Sequence, residues 1–129
     1  MIVVDSSVWI AHLRDSGTPE VQKLRALDDP SEILIGDLIL LEMLQGARSG
    51  RHAALIEQNL RQFEIATMLS PALASKAARN YRVLRDGGVT VRKTVDLIIG
   101  TFCIEGGHRL LHADRDFDPI VERLGLGLA

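Results

Sequence analysis

The chain has 129 residues, one cysteine and a formal net charge of −2 at pH 7. This length suits a single domain spanning residues 1–129, and a nearly neutral charge excludes a protein that gathers nucleic acid through an overall basic field. A lone cysteine, Cys103, excludes an intramolecular disulfide and a thiolate metal site. The start of the chain lacks the pattern of a signal peptide, and the apolar runs fall short of the about 20 residues that a membrane span needs. We therefore expect a cytoplasmic protein that does not associate with a membrane.

The first half of the chain predicts strands that alternate with helices. In chain order these elements are a strand at Ile2–Val4, a helix capped by Ser6 or Ser7, a helix that begins at Thr18 and Pro19, a strand at Ile33–Ile35 and a helix at Leu38–Gln45. The Ile2–Val4 run is apolar and β-branched, which is typical of a strand buried on both faces. The Leu38–Gln45 helix is apolar on nearly every face and is expected to end at Gly46.

The second half of the chain predicts three further helices before the strand at Leu110–His112. Its elements are helices at Arg51–Leu60, Pro71–Arg85 and Val95–Ile104, a strand at Leu110–His112, a short helix at Pro119–Leu124 and a further strand in the glycine-containing tail. Helical spacing predicts an inward stripe on the second of these helices, formed by Ala74, Ala77, Ala78, Tyr81 and Leu84. The alternation predicts an α/β fold, a three-layer α/β/α sandwich around a short, mostly parallel central sheet.

Two acidic residues follow predicted strands. Asp5 comes directly after the first strand, and Asp114 comes after the strand at Leu110–His112. In open parallel sheets, ligands bind at the carboxyl ends of the strands, so both side chains are candidates for a site at that edge. Taken singly, either residue can equally be a helix cap.

Two more acids lie within apolar helices, Glu42 in the helix at Leu38–Gln45 and Asp96 at the start of the later one. A carboxylate on a helix that is apolar almost all round is partly buried, and an unpaired buried charge costs several kcal/mol. Glu42 could be compensated by Arg48, and Asp96, two residues after a predicted Thr94 cap, could complement the helix dipole.

Taken together, these four acids favour a bound cation over four separate structural roles. The predicted fold would place them at one end of one sheet, where two like charges about 4 Å apart repel by roughly 4 kcal/mol at an effective dielectric constant near 20. A divalent cation removes this penalty. Magnesium suits carboxylate oxygens, whereas the four histidines are scattered without the spacing of zinc ligands.

The same acids, in this order, resemble the PIN-domain ribonucleases, and more closely the VapC toxins of bacterial toxin-antitoxin pairs. Four segments carry the resemblance, Ile2–Ile10, Leu41–Gly46, Thr94–Gly100 and Leu110–Phe117. They occur in the family's order and span nearly the whole chain. One departure is the pair His112-Ala113, which stands where a hydroxyl residue is common before the fourth acid.

The resemblance implies a role for each matching residue. The residues implied in catalysis are Asp5, Glu42, Asp96 and Asp114, and those implied in binding Mg²⁺, or alternatively Mn²⁺, are Asp5, Asp96, Asp114 and Asp116. The attacking group would be a water bound to the metal, because no side chain lies in a nucleophile motif. Ser6, Arg92, Lys93 and Arg115 lie beside these acids in the sequence and are candidates for binding the substrate. The family further implies an RNA substrate, a cognate VapB-like antitoxin and a homodimer.

Three other functions compete with a toxin endoribonuclease. A phosphatase that uses Asp5 as nucleophile would need an aspartate two residues later, and that position is Ser7. A non-catalytic binding module would have no reason to keep repelling acids together. A housekeeping RNA-processing PIN nuclease would use the same chemistry without an antitoxin, and the residues do not separate it from a toxin.

Overall fold

A computed structural model describes all residues from Met1 to Ala129. Its central feature is a four-stranded sheet with the spatial order β3-β2-β1-β4, in which every strand pairs in parallel with its neighbours. The strands are β1 (Ile2–Val4), β2 (Ile33–Gly36), β3 (Glu64–Ala66) and β4 (Arg109–Leu111). Since all strands are parallel, their carboxyl ends lie along one edge of the sheet.

Seven helices connect the strands, together with two short 3-10 turns at Pro30–Glu32 and Arg115–Phe117. The helices are α1 (Ser6–Leu13), α2 (Pro19–Arg25), α3 (Asp37–Gln45), α4 (Gly50–Leu60), α5 (Pro71–Asp86), α6 (Thr94–Gly106) and α7 (Asp118–Leu124). Helix α1 packs against α2 and α3, and α3 packs against α4, whereas α5 packs against α6 and α7. None of the seven combines the length and hydropathy that a membrane crossing requires.

The core lies on both faces of the two inner strands. Every residue of β1 and β2 is buried, as the continuous apolar runs predicted. Two separate groups of helices therefore cover the sheet, and the predicted α/β/α sandwich with a parallel sheet is confirmed. Cys103 is fully buried in the middle of α6, where burial raises the pKa of its thiol to about 12.

The edges of the sheet differ from the sequence prediction. Strand β3 was not predicted, because its segment contains only one strongly β-forming residue, Ile65, and pairing with β2 decides its conformation. The predicted strand in the tail is a single parallel bridge between Leu128 and Leu110 of β4.

Helix α6 begins at Thr94 itself, so the predicted Thr94 cap is wrong and Lys93 holds the cap position.

The predicted inward stripe of α5 is only partly correct. Leu73, Ala77 and Leu84 are buried, whereas Ala74 and Ala78 are exposed and Tyr81 is 43% exposed. The helix packs against α6 through a face rotated from the predicted one. An apolar strip of α5 therefore remains in contact with solvent.

Candidate metal centre

Asp5 is the residue that caps α1, so the predicted cap at Ser6 or Ser7 is wrong. Its Oδ2 atom accepts hydrogen bonds from the backbone N–H of Ser7 at 3.0 Å and from the hydroxyl of Ser7 at 2.6 Å, and the residue is only 4% exposed. The backbone N–H of Asp5 donates to the carbonyl oxygen of Leu111 in β4. Asp5 is therefore both the cap of α1 and the residue at the carboxyl end of β1, because α1 begins directly after that strand.

Glu42 projects from α3 and is half-buried. Its Oε1 atom accepts a hydrogen bond of 3.3 Å from the hydroxyl of Ser6 on α1, so its neighbour is this serine rather than Arg48. Burial, and next the negative charge of Asp5, raise the pKa of the Glu42 carboxyl above its ordinary value. The carboxyl is thus less acidic than a glutamate in water.

Asp96 lies in the first turn of α6 and is 5% exposed. Its Oδ2 atom is buried and has no partner with hydrogen-bond geometry, and the nearest cation, Nζ of Lys93, lies 3.4 Å from it. Burial raises the pKa of Asp96 to about 6 despite the opposing charge of Lys93, and the charge of Asp5 adds to the increase. A carboxylate oxygen that has lost water and gained only this long contact is incompletely compensated, so the site favours a more closely bound cation.

Asp114 and Asp116 complete the acidic group. Asp114 caps the 3-10 turn at Arg115–Phe117, and its Oδ1 atom accepts from the backbone N–H of Asp116 at 2.9 Å. One carboxylate oxygen from each of Asp96, Asp114 and Asp116 lies within 4.8 Å of the others. Three carboxylates at this separation repel one another unless a cation is bound between them.

Lys93 brings a positive charge into this group. Its Nζ atom lies 2.7 Å from Oδ2 of Asp114 and 3.4 Å from an oxygen of both Asp96 and Asp116. Burial would raise the pKa of the Asp114 carboxyl, but the hydrogen bond from Lys93 lowers it below its ordinary value. The same hydrogen bond raises the pKa of the Lys93 ammonium.

The structure brings the acids named from the sequence to one region. Asp96, Asp114 and Asp116 form the compact group, and the charge of Asp5 acts on both Asp96 and Glu42. Asp5 and Glu42 are not members of that compact group, and Glu42 is held next to Asp5 through its hydrogen bond with Ser6.

Among the residues proposed to bind the substrate, Ser6 donates to Glu42 and Lys93 is bound to the acids. Arg92 and Arg115 are exposed and form no ion pair with an acidic residue. Both guanidinium groups are therefore exposed and without an acidic partner.

Sequence reasoning missed two contributions to the site. Ser7 holds Asp5 in place, and its spacing of two residues after an aspartate is a recognisable signal for a local hydrogen bond to the carboxylate. The contact of Lys93 with the acids has a weaker signal in the sequence. Lys93 precedes Asp96 by three residues, a spacing at which side chains are neighbours on a helix.

The donor set fits a hard divalent cation. It consists of carboxylate oxygens, one of them buried without a hydrogen bond, and the ammonium of Lys93 already lies next to three of the carboxylates. Oxygen ligands of this type suit Mg²⁺ and related ions, whereas no histidine or cysteine takes part in the group. The site and the fold together define an α/β protein with an acidic, cation-binding edge at the carboxyl ends of its parallel strands.

Comparison with known proteins agrees with this description. The PIN domain family matches residues 2–122. The chain is 29% identical to ribonuclease VapC11 of Mycobacterium tuberculosis, over 100% of this chain and 98% of the relative. It therefore belongs to the PIN-domain family, and the resemblance found in the sequence is confirmed.

Solved structures share the fold at low sequence identity. VapBC2 of Rickettsia felis, bound to a DNA fragment from its promoter, superposes with a TM-score of 0.77 at 16% identity, covering 100% of this chain and 98% of that one. VapC20 of M. tuberculosis, described as a sarcin-ricin loop cleaving toxin, gives a TM-score of 0.64 at 21% identity over 92% and 93% of the two chains. Both solved structures therefore share the overall fold of this chain.

Proposed function

We propose that this chain is a divalent-metal-dependent endoribonuclease and the toxin of a toxin-antitoxin pair. The observation that carries the proposal is the convergence of the Asp96, Asp114 and Asp116 carboxylates within 4.8 Å, with a buried Asp96 oxygen that has no hydrogen bond and only a 3.4 Å contact with Lys93. Its relatives along the full length are named VapC ribonucleases, which supports RNA as the substrate. The whole chain, residues 1–129, would act as one nuclease domain in the cytoplasm.

The acidic residues would divide into two roles. Asp5, Asp96 and Asp114 would hold Mg²⁺, or alternatively Mn²⁺, with Asp116 contributing directly or through water. When bound, such an ion acidifies a water molecule and offsets charge on the phosphoryl oxygens. Glu42 would orient the attacking water and take its proton, because a carboxylate whose pKa is raised by burial is a better base near neutral pH.

The cationic side chains at the mouth would bind the substrate. Arg92 and Arg115 are exposed and unpaired, which suits contact with phosphates on either side of the scissile bond. The hydroxyl of Ser6 and the ammonium of Lys93 lie closer to the acids. The chain carries a net charge of −2, so these local charges must supply the attraction for RNA.

Cleavage of a labelled single-stranded RNA tests the chemistry. Wild type should cut with MgCl₂ and lose cleavage with a chelator, and Asp5→Asn and Asp96→Asn should be at least about 100-fold slower. Asp118→Asn is the matched control, since Asp118 is an exposed aspartate in the next helix outside the acidic group. Cleavage that persists in the chelator, or in both variants, would refute a metal-dependent mechanism. An equally fast reaction on single-stranded DNA would refute specificity for RNA.

A toxin would need a protein inhibitor and, by resemblance, would form a homodimer. A VapB-like antitoxin that inserts an arginine among the acids would be favoured by the negative charge of the site. The exposed apolar strip of α5 around Tyr81 supports a second interface. Growth arrest on expression, relieved by the product of an adjoining short reading frame, would separate a toxin from a housekeeping RNA-processing nuclease. Light scattering on wild type and Tyr81→Glu would measure the oligomeric state.

A further inference from the structure

The ammonium of Lys93 stands where the carboxylates converge. Nζ is 2.7 Å from Asp114 and 3.4 Å from both Asp96 and Asp116, the same residues whose oxygens lie within 4.8 Å of one another. Only the contact with Asp114 has hydrogen-bond geometry, and the buried Oδ2 atom of Asp96 has the 3.4 Å contact with Nζ but no hydrogen bond. Lys93 therefore neutralises part of the charge and leaves the buried carboxylate incompletely satisfied.

A divalent ion and this ammonium cannot share the three carboxylates. An ion such as Mg²⁺ binds carboxylate oxygen at about 2.0–2.1 Å, so it would compete with Nζ for the carboxylates of the same three residues. The repulsion between a doubly and a singly charged cation is twice that between two single charges at the same distance. One cation must leave before the other can bind.

Lys93 can leave without a change in the fold. Its side chain is 50% exposed and has a long flexible stem. The residue has extended backbone angles at the cap position of α6, and its side chain makes no cap hydrogen bond. Rotation of the side chain into solvent therefore breaks only the contacts with the acids.

We infer that Lys93 is an internal competitor of the metal ion, which holds the three carboxylates together and lowers the affinity of the site for a divalent cation. The inference rests on the metal site of the proposed function. It assigns to Lys93 a contribution to metal affinity that is separate from any contact with RNA. An ammonium moved aside by the metal would remain at the mouth of the site.

Titration of the RNA-free protein with MnCl₂ in a calorimeter tests this inference. Lys93→Met should bind Mn²⁺ at least about tenfold more tightly than wild type, and Mn²⁺ should raise its melting temperature by more. Lys93→Gln is a second variant of similar length that also lacks the charge, should Lys93→Met fail to fold. Arg92→Met is the matched control, because it removes one positive charge from the adjacent residue without vacating the carboxylates, and it should change the affinity by less than about threefold.

Three results would overturn the inference. Wild-type affinity in both Lys93 variants would show that the ammonium does not compete, while the metal site itself would stand. A gain in Arg92→Met as large as that in Lys93→Met would assign the effect to net charge alone. Failure of every protein, wild type included, to bind Mn²⁺ would refute the metal site and with it the proposed function.

Discussion

The hydroxyl of Ser7 donates a hydrogen bond of 2.6 Å to Oδ2 of Asp5. The same oxygen of Ser7 accepts from the backbone N–H of Ala113 at 3.1 Å, although the two residues are 106 positions apart in the chain. One hydroxyl thus fixes the rotamer of Asp5 and attaches the segment that leads to Asp114. The position of the Asp5 carboxylate relative to that of Asp114 therefore depends on the hydroxyl of Ser7.

Replacement of Ser7 by alanine should therefore loosen the site. Ser7→Ala removes two hydrogen bonds and leaves the buried Asp5 with only the backbone donor, so we expect a loss of about 1–2 kcal/mol in the free energy of unfolding. Mn²⁺ affinity should fall with it. Urea denaturation and calorimetry measure the two effects.

The control for this substitution is Ser31→Ala. Ser31 makes the same pair of contacts with Asp29, through its backbone N–H and its hydroxyl, but on the exposed surface. It should change stability little, because exposed polar groups exchange a lost hydrogen bond for water. Equal losses in Ser7→Ala and Ser31→Ala would contradict a special role for Ser7.

Substitution of Glu42 should separate catalysis from metal binding. Glu42→Gln retains the shape and the contact with Ser6 but cannot accept the proton of water, so we expect cleavage to slow about 100-fold. Mn²⁺ affinity should change by less than in Asp96→Asn, which removes a proposed ligand. Single-turnover cleavage measures the rate of the reaction for each variant, and calorimetry measures its Mn²⁺ affinity.

Glu105→Gln is the matched control for that experiment, since Glu105 lies near the end of α6 in an exposed ion pair with Lys76. It should cleave RNA at the wild-type rate. Cleavage by Glu42→Gln at that rate, or loss of its Mn²⁺ binding to the extent seen in Asp96→Asn, would be incompatible with the role of a base.

The metal-free protein should lose stability as the pH rises from about 4 to about 6. The pKa of Asp96 is about 6 in the folded chain, above the ordinary 3.8, so the folded state keeps a proton that the unfolded state has released. The raised pKa of Glu42 acts in the same direction. The lowered pKa of Asp114 contributes stability that is lost only as the pH falls further, below this window.

One other group acts near the upper end of this window with the opposite sign. Burial lowers the pKa of His108, so its contribution to stability increases as the pH rises through 6.5. Melting temperatures in chelator should therefore be compared between wild type and Asp96→Asn, whose difference isolates the aspartate. The decline with rising pH should be shallower in Asp96→Asn and in wild type with Mn²⁺. Identical slopes for wild type and variant would show that Asp96 titrates normally.

Addition of one methyl group at Gly100 should destabilise the contact between α6, the helix that carries Asp96, and α7. A Cβ atom there would lie 2.9 Å from Cγ2 of Ile120, which is 2% exposed in α7, the helix that follows Asp116. Gly100→Ala should cost about 1–3 kcal/mol of unfolding free energy, because the branched side chain has no room to move. Thermal and urea unfolding measure this loss.

Gly50→Ala provides a matched helical control, since nothing lies within 4 Å of a Cβ at that position. It should be neutral or stabilising by about 0.4–1 kcal/mol through reduced entropy of the unfolded chain. A Gly100→Ala variant as stable as Gly50→Ala would mean that Ile120 can move aside.

Much of the fold was predictable because its signals are local. The apolar run of β1, the Ser70-Pro71 start of α5 and the glycines after α3 and α6 act within a few residues of one another. The acids were predictable for a similar reason, since charged residues in or directly after apolar segments stand out from their neighbours. The catalytic and metal-binding roles of these acids stay predictions until the proposed experiments are done.

The α/β class, the family and most of the helices and strands followed from the residues alone, because hydrophobic period and motif order are properties of neighbouring positions. Only the tertiary structure decided that β3 is a strand, that Ser7 connects Asp5 to Ala113, and that the ammonium of Lys93 stands among three carboxylates. Each of these contacts joins segments that are distant in the chain, and its strength depends on burial and on distances of a few ångströms. Those quantities exist only after the parallel strands have brought their carboxyl ends to one edge of the sheet.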